Sequence, residues 1–338
     1  MRNVVIAIDG TWNRPDQVDR GRQVPGNVVK MVRAVAHEAA MPQLKYYDNG
    51  VGTDGWVDKL WGGVAGRGLF GSMRKAYHWL AQHYQPGDRL FLFGFSRGAF
   101  TVRSLAGMLA LCGLPADRGR DLSGPAAAVY RLHHAGKRQH EAALFRREQA
   151  CHDVPVHFLG VWDTVGAMGL PTRGPVGYLT RKRHQFHSVC LADNVRHARQ
   201  ALAINEQRAA FEPSLWMPPC PPQVQSVQQL WFAGVHSNIG GGYVDAGLSD
   251  ITLRWMMDEA SAHGLVLDPA YVARRVDPDE FGELRESLSA LYRTPLAGGL
   301  PRPRTIGTGA LGEGIHASVY RRWQAPSRPD EMPGNVPV

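Results

Sequence analysis

One stretch constrains this chain more than any other: Asp88-Arg89-Leu90-Phe91-Leu92-Phe93-Gly94-Phe95-Ser96-Arg97-Gly98-Ala99-Phe100. An apolar, strand-like run leads into the pattern G-x-S-x-G at Gly94, Ser96 and Gly98, and a helical pattern follows at once. Between a strand and a helix this pattern makes a sharp turn that holds the serine backbone under strain. Glycines on either side keep neighbouring side chains from colliding there. The turn exposes the Ser96 hydroxyl. The following helix turns its first N–H groups, beginning with that of Arg97, toward any negative charge that develops beside the serine.

The rest of the chain agrees with a strand–turn–helix of this kind. Short apolar runs that end in small or acidic residues are expected as buried strands at Val4–Ile8, Leu44–Tyr47, Arg89–Phe93, Val156–Val161 and Gln229–Val235. Helical spacing is expected over Met73–Tyr84, Ala99–Leu111, Asn194–Phe211 and Ile251–His263. The alternation implies an α/β protein: a mostly parallel central sheet with helices on both faces and cap or loop excursions. With 44% apolar and 20% charged residues a sizeable core can be buried, which excludes disordered and fibrous classes. We expect a single domain over 1–325, excursions at about 114–154 and 171–186, and a loose Pro-rich tail over 326–338.

A serine nucleophile needs a base, and the base an orienting carboxylate. Val156–Trp162 reads as a strand ending at Asp163, and strand C-terminal ends are where such side chains collect in open α/β sheets. A turn former or helix cap is the competing reading of Asp163. Leu230–Val235 reads as a strand that delivers His236 to the glycine-rich run Gly240-Gly241-Gly242. A lone histidine is more often structural, but His236 completes the chain order Ser, Asp, His that serine hydrolases of the α/β type use.

Two further glycine motifs have competing readings. Asp9-Gly10-Thr11 follows the first strand and resembles the D-x-D-G-T motif of phosphatases of the haloacid dehalogenase type. The nucleophilic Asp of that motif would stand at position 7, which is Ala7. The reading preferred here pairs a backbone N–H of Gly10 or Thr11 with that of Arg97 to hold an oxyanion, while Asp9 orders the loop by local hydrogen bonds. Gly50-Val51-Gly52-Thr53-Asp54-Gly55 is a literal G-x-G-x-x-G, but Trp56–Gly68 is too rich in glycine for the helix a dinucleotide site requires. That segment is expected as a loop beside the site. Its Trp56, Leu60, Trp61, Leu69 and Phe70 would either enter a lipid headgroup region, with Lys59 and Arg67 at the phosphates, or pack as an apolar lid.

Composition narrows the partners. Thirty-eight Lys and Arg against 30 Asp and Glu leave a net charge of +8, which favours anionic partners such as an anionic membrane surface. The densest basic run, Arg181-Lys182-Arg183-His184, is short and reads as a solvated loop, so nucleic acid is not expected. Cys112, Cys151, Cys190 and Cys220 form no C-x-x-C pair and are expected as reduced thiols. No metal ligand spacing is apparent, and the chemistry needs neither a metal nor an organic cofactor. No apolar run approaches the ~18 residues of a membrane span, and Val4–Ile8 is too short for a signal sequence. The chain is therefore expected to be made in the cytoplasm, with export by a system that reads no cleavable signal left open.

Six blocks carry a resemblance that no single motif would support. They are Ile8–Asn13, Tyr46–Thr53, Gly94–Phe100, Gly160–Gly166, Ala201–Arg208 and Trp231–Tyr243. In this order, over roughly residues 4–265, the chain resembles a bacterial α/β-hydrolase domain family that includes the catalytic domains of type VI secretion phospholipase effectors. The resemblance implies an α/β-hydrolase-like fold and makes Ser96, Asp163 and His236 the catalytic triad of a phospholipid esterase, with a lipid or ester as substrate and room for an immunity or secretion protein as partner. Gly94, Gly98, Asp9 and Asn238 would support the site. Asn238 and Asn205 stand where Asp is expected, which touches local hydrogen bonding more than the chemistry. The competing readings are a lipid- or anion-binding module that keeps the scaffold without turnover, and a phosphatase built on the Asp9 loop.

Overall fold

Val4-Val5-Ile6-Ala7-Ile8 has no polar side chain to turn outward, so a strand built from it must be covered on both faces. In the computed structural model, which describes residues 1–10, 13, 15–37, 39–50, 63–166, 190–288, 301–326, 331 and 333–336, that is its position. Strand β1 (Asn3–Ile8) is buried along its whole length. Because side chains alternate across a strand, Val4, Ile6 and Ile8 join one core and Val5 and Ala7 the other.

Seven parallel strands form the sheet, in the order β2-β1-β3-β4-β5-β6-β7: β2 is Gln43–Asp48, β3 Arg89–Phe95, β4 Val156–Trp162, β5 Val195–Ala203, β6 Ser226–Phe232 and β7 Glu313–Ile315. One face is covered by α2 (Gly63–His83) and α3 (Arg97–Cys112), whose Met73, Ala76, Tyr77, Val102, Leu105 and Leu109 pack on the even-numbered residues of β1. The other face carries α1 (Asn27–Ala34) and α7 (Gly247–Ala262), which contribute Val28, Met31, Leu253, Met256 and Met257. This is the expected α/β-hydrolase-like architecture, with the helices on both faces. No described helix is long and apolar enough to cross a membrane.

The order of strands places a crevice. From β1 the chain passes first to the edge strand β2 and then back to β3 on the other side, so β1 and β3 flank the point where the winding reverses. Ligands in open α/β sheets bind at the carboxyl ends of strands at such a point. The register there is level, with Ile8 opposite Gly94, Phe95 opposite Trp162, and Ala203 opposite Phe232. Asp9, Ser96, Asp163 and His236 all lie just past these ends.

Three expectations are corrected. Asn194–Phe211, whose Ala, Arg, Gln and Leu favour a helix, instead holds strand β5 over Val195–Ala203 and only a single 3-10 turn at Ala209–Phe211. Its Arg199 and Gln200 are buried, and each has a partner on a neighbouring element: Arg199 Nε donates to Glu259 at 2.6 Å and Gln200 Nε2 to Gln229 at 2.9 Å. Tertiary partners absorb polar residues that a sequence pattern assigns to a solvated helix face. Helix α2 starts at Gly63 rather than Met73, so the glycine-rich run is helical from there onward. A packed downstream half offsets the ~1 kcal/mol that each interior glycine costs a helix. Phe70 thus lies on this helix, not on a loop, with the Arg131 guanidinium 4.6 Å above its ring. Trp56, Leu60, Trp61, Lys59 and most of the Gly50–Gly55 motif lie outside the described residues, as does the excursion over 171–186. The third correction concerns the chain end. Val336 is buried against Val319 and Trp323 of α8 (Ala317–Gln324), so this residue of the Pro-rich stretch is anchored, while Glu331 and Gly334 are exposed. The stretch over 114–154 contributes α4 (Ser123–Tyr130) and α5 (Ala135–Glu148), which pack on α2 and α3; its neck is tied by the Leu114–His152 bridge at the end of α3 farther from Ser96.

Candidate active site

The turn from β3 into α3 is as tight as its glycines require. A Cβ on Gly98 would lie 2.1 Å from the Ile8 carbonyl oxygen, and one on Gly94 would lie 2.7 Å from the Gly98 backbone. Ser96 sits between them with φ +57°, a left-handed backbone that costs a serine about 1–3 kcal/mol. The strain turns the Ser96 side chain away from both strand and helix. Its N–H is tied to the Trp162 carbonyl at 3.0 Å, which sets the serine beside the end of β4.

Asp163 is the first residue past β4. It also has a positive φ, +40°, and its N–H donates to the Ala201 carbonyl at 2.8 Å. His236 opens the short helix α6 (His236–Gly240), reached from β6 through Gly234 and Val235. The three side chains, scattered over 141 positions of the chain, form one hydrogen-bonded row. His236 Nδ1 lies 2.5 Å from Asp163 Oδ2, and His236 Nε2 lies 2.8 Å from Ser96 Oγ. With Nδ1 carrying the proton donated to Asp163, Nε2 is free to accept from the serine hydroxyl. All three residues are buried.

The loop that carries His236 is held by the β5 end. Asn205 Oδ1 accepts the Gly234 N–H at 2.8 Å, and Glu206 Oε2 accepts the His236 N–H at 3.2 Å. Glu206 is itself clamped by Arg208, two bonds of 2.8 Å, and by the Ser287 hydroxyl at 3.0 Å. Burial alone would raise the Glu206 pKa, but Arg208 outweighs it and holds the carboxyl at about 2. The Arg208 guanidinium stacks 3.6 Å over Phe211, whose ring meets His236 edge-on at 4.9 Å, while Phe95 packs against the imidazole from another side. Asn238 supports the same loop. Its Oδ1 accepts the Val235 N–H and its Nδ2 donates to the Glu283 carbonyl at 3.1 Å, a donor role that an aspartate could not fill.

Sequence reasoning missed the residue that holds the Asp163 end of this row. Arg304 spans both oxygens of Asp163, with Nη1 2.5 Å from Oδ1 and Nη2 2.9 Å from Oδ2. It lies in a Pro-Arg-Pro-Arg run that carries no recognisable motif. Burial pushes the Asp163 carboxyl up, but Arg304 and His236 together hold it well below the usual carboxylate range. For His236 the balance goes the other way: burial depresses the imidazole below its ordinary value, against the pull of Asp163.

On the oxyanion side, Arg97 is the first residue of α3, where N–H groups have no acceptor within the helix. Gly10 lies against the nucleophile, since a Cβ on it would stand 3.3 Å from Ser96 Cβ. Its own N–H donates to Asp9 Oδ1 at 2.8 Å, which takes it away from an oxyanion. Thr11, the other expected donor, lies outside the described residues. Asp9 is buried, with Tyr47 O–H 3.2 Å from its other oxygen, and burial pushes its carboxyl up to about 7. A carboxylate bonded to its own loop organises that loop and is poorly placed to attack phosphorus. No group of three His, Cys, Asp or Glu among the described residues is arranged to hold a metal ion.

The arrangement can therefore deprotonate a hydroxyl as it attacks an electrophilic carbon, with an N–H at a helix start beside the new negative charge. Comparison with known proteins bears on which carbon. A family model for the catalytic domain of type VI secretion Tle1-like phospholipase effectors matches residues 2–259. Uncharacterized protein YEL023C of Saccharomyces cerevisiae is 24% identical over 239 residues, which cover 64% of this chain and 33% of that protein. A crystal structure of an uncharacterized protein from Pseudomonas aeruginosa aligns with TM-score 0.53 at 18% identity, covering 82% of this chain and 49% of that one, a likeness of fold. The Tle1 effector bound to the VgrG spike aligns with TM-score 0.47 at 15% identity, covering 90% of this chain and 82% of that one. The chain thus spans about a third of the yeast relative and half of the Pseudomonas protein.

Proposed function

The chain belongs to the type VI secretion Tle1-like phospholipase effector catalytic-domain family, and from that premise we propose that it is a serine hydrolase that cleaves carboxylic esters, with phospholipid acyl esters as substrates. The observation that carries this is the row Ser96–His236–Asp163 at 2.8 and 2.5 Å on a strained strand-to-helix turn. Ser96 Oγ attacks the ester carbonyl as His236 Nε2 takes its proton. The N–H of Arg97 steadies the tetrahedral oxyanion. His236 then returns the proton to the leaving alcohol, and the acyl group stays on Ser96. In the second half a water attacks the acyl-enzyme by the same route and releases the fatty acid. Asp163 holds the imidazole tautomer and steadies the imidazolium that forms twice per cycle.

A net charge of +8 supports a substrate presented at an anionic surface, where each Lys or Arg contributes about 1 kcal/mol. Within the same proposal, the family supports export by a type VI system and association with its spike. The test is fatty-acid release from phosphatidylglycerol and phosphatidylethanolamine vesicles, followed by mass spectrometry, together with labelling of Ser96 by a fluorophosphonate. Release and labelling that both vanish in Ser96→Ala are expected. A wild-type chain that binds vesicles, resists the label and frees no acid would make it a binding module instead. Hydrolysis of short soluble esters alone would retain the serine chemistry and remove the lipid.

A further inference from the structure

Arg304 stands outside the span matched by the family model, in the stretch that leads to β7, and its side chain is buried. Its guanidinium has four acceptors in fixed directions. Beyond the two oxygens of Asp163, Nη1 donates to the Ala203 carbonyl at 2.9 Å and Nη2 to the Phe211 carbonyl at 2.6 Å. Its own carbonyl accepts from Asn335 Nδ2 at 2.8 Å. Asp163 is equally saturated: Oδ1 receives Arg304 Nη1 and the Ala203 N–H, and Oδ2 receives Arg304 Nη2 and His236 Nδ1. Four donors fill the roughly four lone-pair sites of a carboxylate, so it cannot rotate without breaking several charged hydrogen bonds.

We propose that Arg304 is a positioning residue for the serine chemistry: it aims the Asp163 carboxylate at His236 and, by offsetting its charge, sets the pH at which His236 becomes free to act as base. This rests on the Ser96–His236–Asp163 reading above. A buried carboxylate beside an imidazole binds the imidazolium proton tightly, and in a water-poor site little else screens that attraction. A base that holds its proton too tightly is already protonated when the substrate arrives. Arg304 cancels much of the negative charge while leaving Oδ2 within reach of Nδ1.

Of the other charged groups around the pair, Glu206 faces the His236 backbone and raises the proton affinity of the imidazole, while Arg208, paired with Glu206, lowers it, so these two work against each other. Asp9, at the end of β1, is bonded to Gly10 N–H and Tyr47 O–H. Arg97, at the start of α3, makes no ion pair with Asp163, and Phe95 and Phe211 are uncharged. Removing a positive charge raises the proton affinity of the Asp163–His236 pair as a unit, whichever member takes the proton. The sign of the effect therefore does not depend on a microscopic assignment.

The test compares Arg304→Gln, Arg304→Lys and Ser96→Ala with wild type in pH profiles of kcat/KM on a soluble p-nitrophenyl ester. Arg304→Gln is expected to move the acid limb upward by about one pH unit, the lower end of what one close charge does. On that limb this is a tenfold loss, and KM should not change, because Arg304 does not touch substrate. Arg304→Lys keeps the charge but not the fork, so its acid limb should stay at the wild-type position while kcat falls. A residue that merely braces the fold would change the amount of folded enzyme without moving the limb. The proposal is overturned if the Arg304→Gln limb coincides with wild type, or if Arg304→Lys shifts as far as Arg304→Gln. If circular dichroism shows Arg304→Gln unfolded, Arg304→Lys decides alone: with active sites counted by fluorophosphonate titration, a kcat per site that is lowered at an unmoved limb supports the proposal, and full kcat per site overturns it. Loss of folding in both variants makes Arg304 purely structural and overturns it as well. Hydrolysis by Ser96→Ala would instead remove the serine reading itself. An inactive Ser96→Ala beside an unchanged Arg304→Gln removes only the role of Arg304.

Discussion

Gly98→Ala sets two physical effects of opposite sign against each other. Gly98 is the second residue of α3, and by helix propensity alone an alanine there should stabilise the chain by about 1 kcal/mol. The new Cβ would lie 2.1 Å from the Ile8 carbonyl oxygen and 2.5 Å from that of Asp9. Both are backbone atoms at the end of a buried strand, and Asp9 N–H is itself tied to Asp48 at 2.9 Å, so neither can swing aside. Carbon and oxygen rest at about 3.3 Å even in their closest favourable contacts, so α3 and β1 must part by about 1 Å. Overpacking of this kind costs about 1–3 kcal/mol, enough to cancel or exceed the helical gain. We expect a net loss of about 1 kcal/mol and a Tm lowered by roughly 1–2 °C, measured by calorimetry. The effect on kcat should be larger. Ser96 is the cap of the displaced helix whereas His236 arrives from β6, so the 2.8 Å contact between them opens; a 1 Å misplacement can cost about 100-fold. A Gly98→Ala protein with a raised Tm and kcat within twofold of wild type would refute the steric account.

Replacement of Ser96 by Ala should lower kcat on the order of 10³-fold or more. Asp163→Asn should cost about 10⁴-fold by presenting the wrong imidazole tautomer, and the double variant should be little worse than the more damaged single one in burst-resolved ester kinetics. Protonated His236 cannot accept the serine proton, so kcat/KM should fall toward acid. Because burial depresses this imidazole, the half-maximal point should lie below the ~6.5 of a free histidine; a midpoint above 7 would contradict it. Asp9 has a folded-state pKa of about 7, above its unfolded value of about 3.9, so the folded chain binds the extra proton between these values. Its contribution to stability is complete below about pH 4 and lost as pH rises through 7. Asp9→Asn should therefore flatten the decline in Tm between pH 5 and 8, and identical Tm-against-pH curves for variant and wild type would count against that assignment.

Much of the site was legible along the chain because its signals are local. The run Val4–Ile8 has no residue that tolerates water, and glycines flanking Ser96 are needed wherever a strand turns at once into a helix. Asp163 and His236 could be placed at strand ends because apolar runs terminate there. Local patterns specify local backbone, and three such turns at the same end of one parallel sheet converge whatever separates them in sequence. What the sequence could not determine depends on partners brought from elsewhere. Val195–Ala203 has helical composition and becomes a strand because Glu259 and Gln229 receive its buried Arg199 and Gln200. Gly10 N–H stands in the right place along the chain for an oxyanion donor, but Asp9 Oδ1 accepts it in the fold. Arg304 carries no motif, since a guanidinium at the surface and one locked onto a buried carboxylate are spelled alike. Only the fold sets it against Asp163, 141 positions away, where desolvation makes a charge pair strong enough to govern its neighbours.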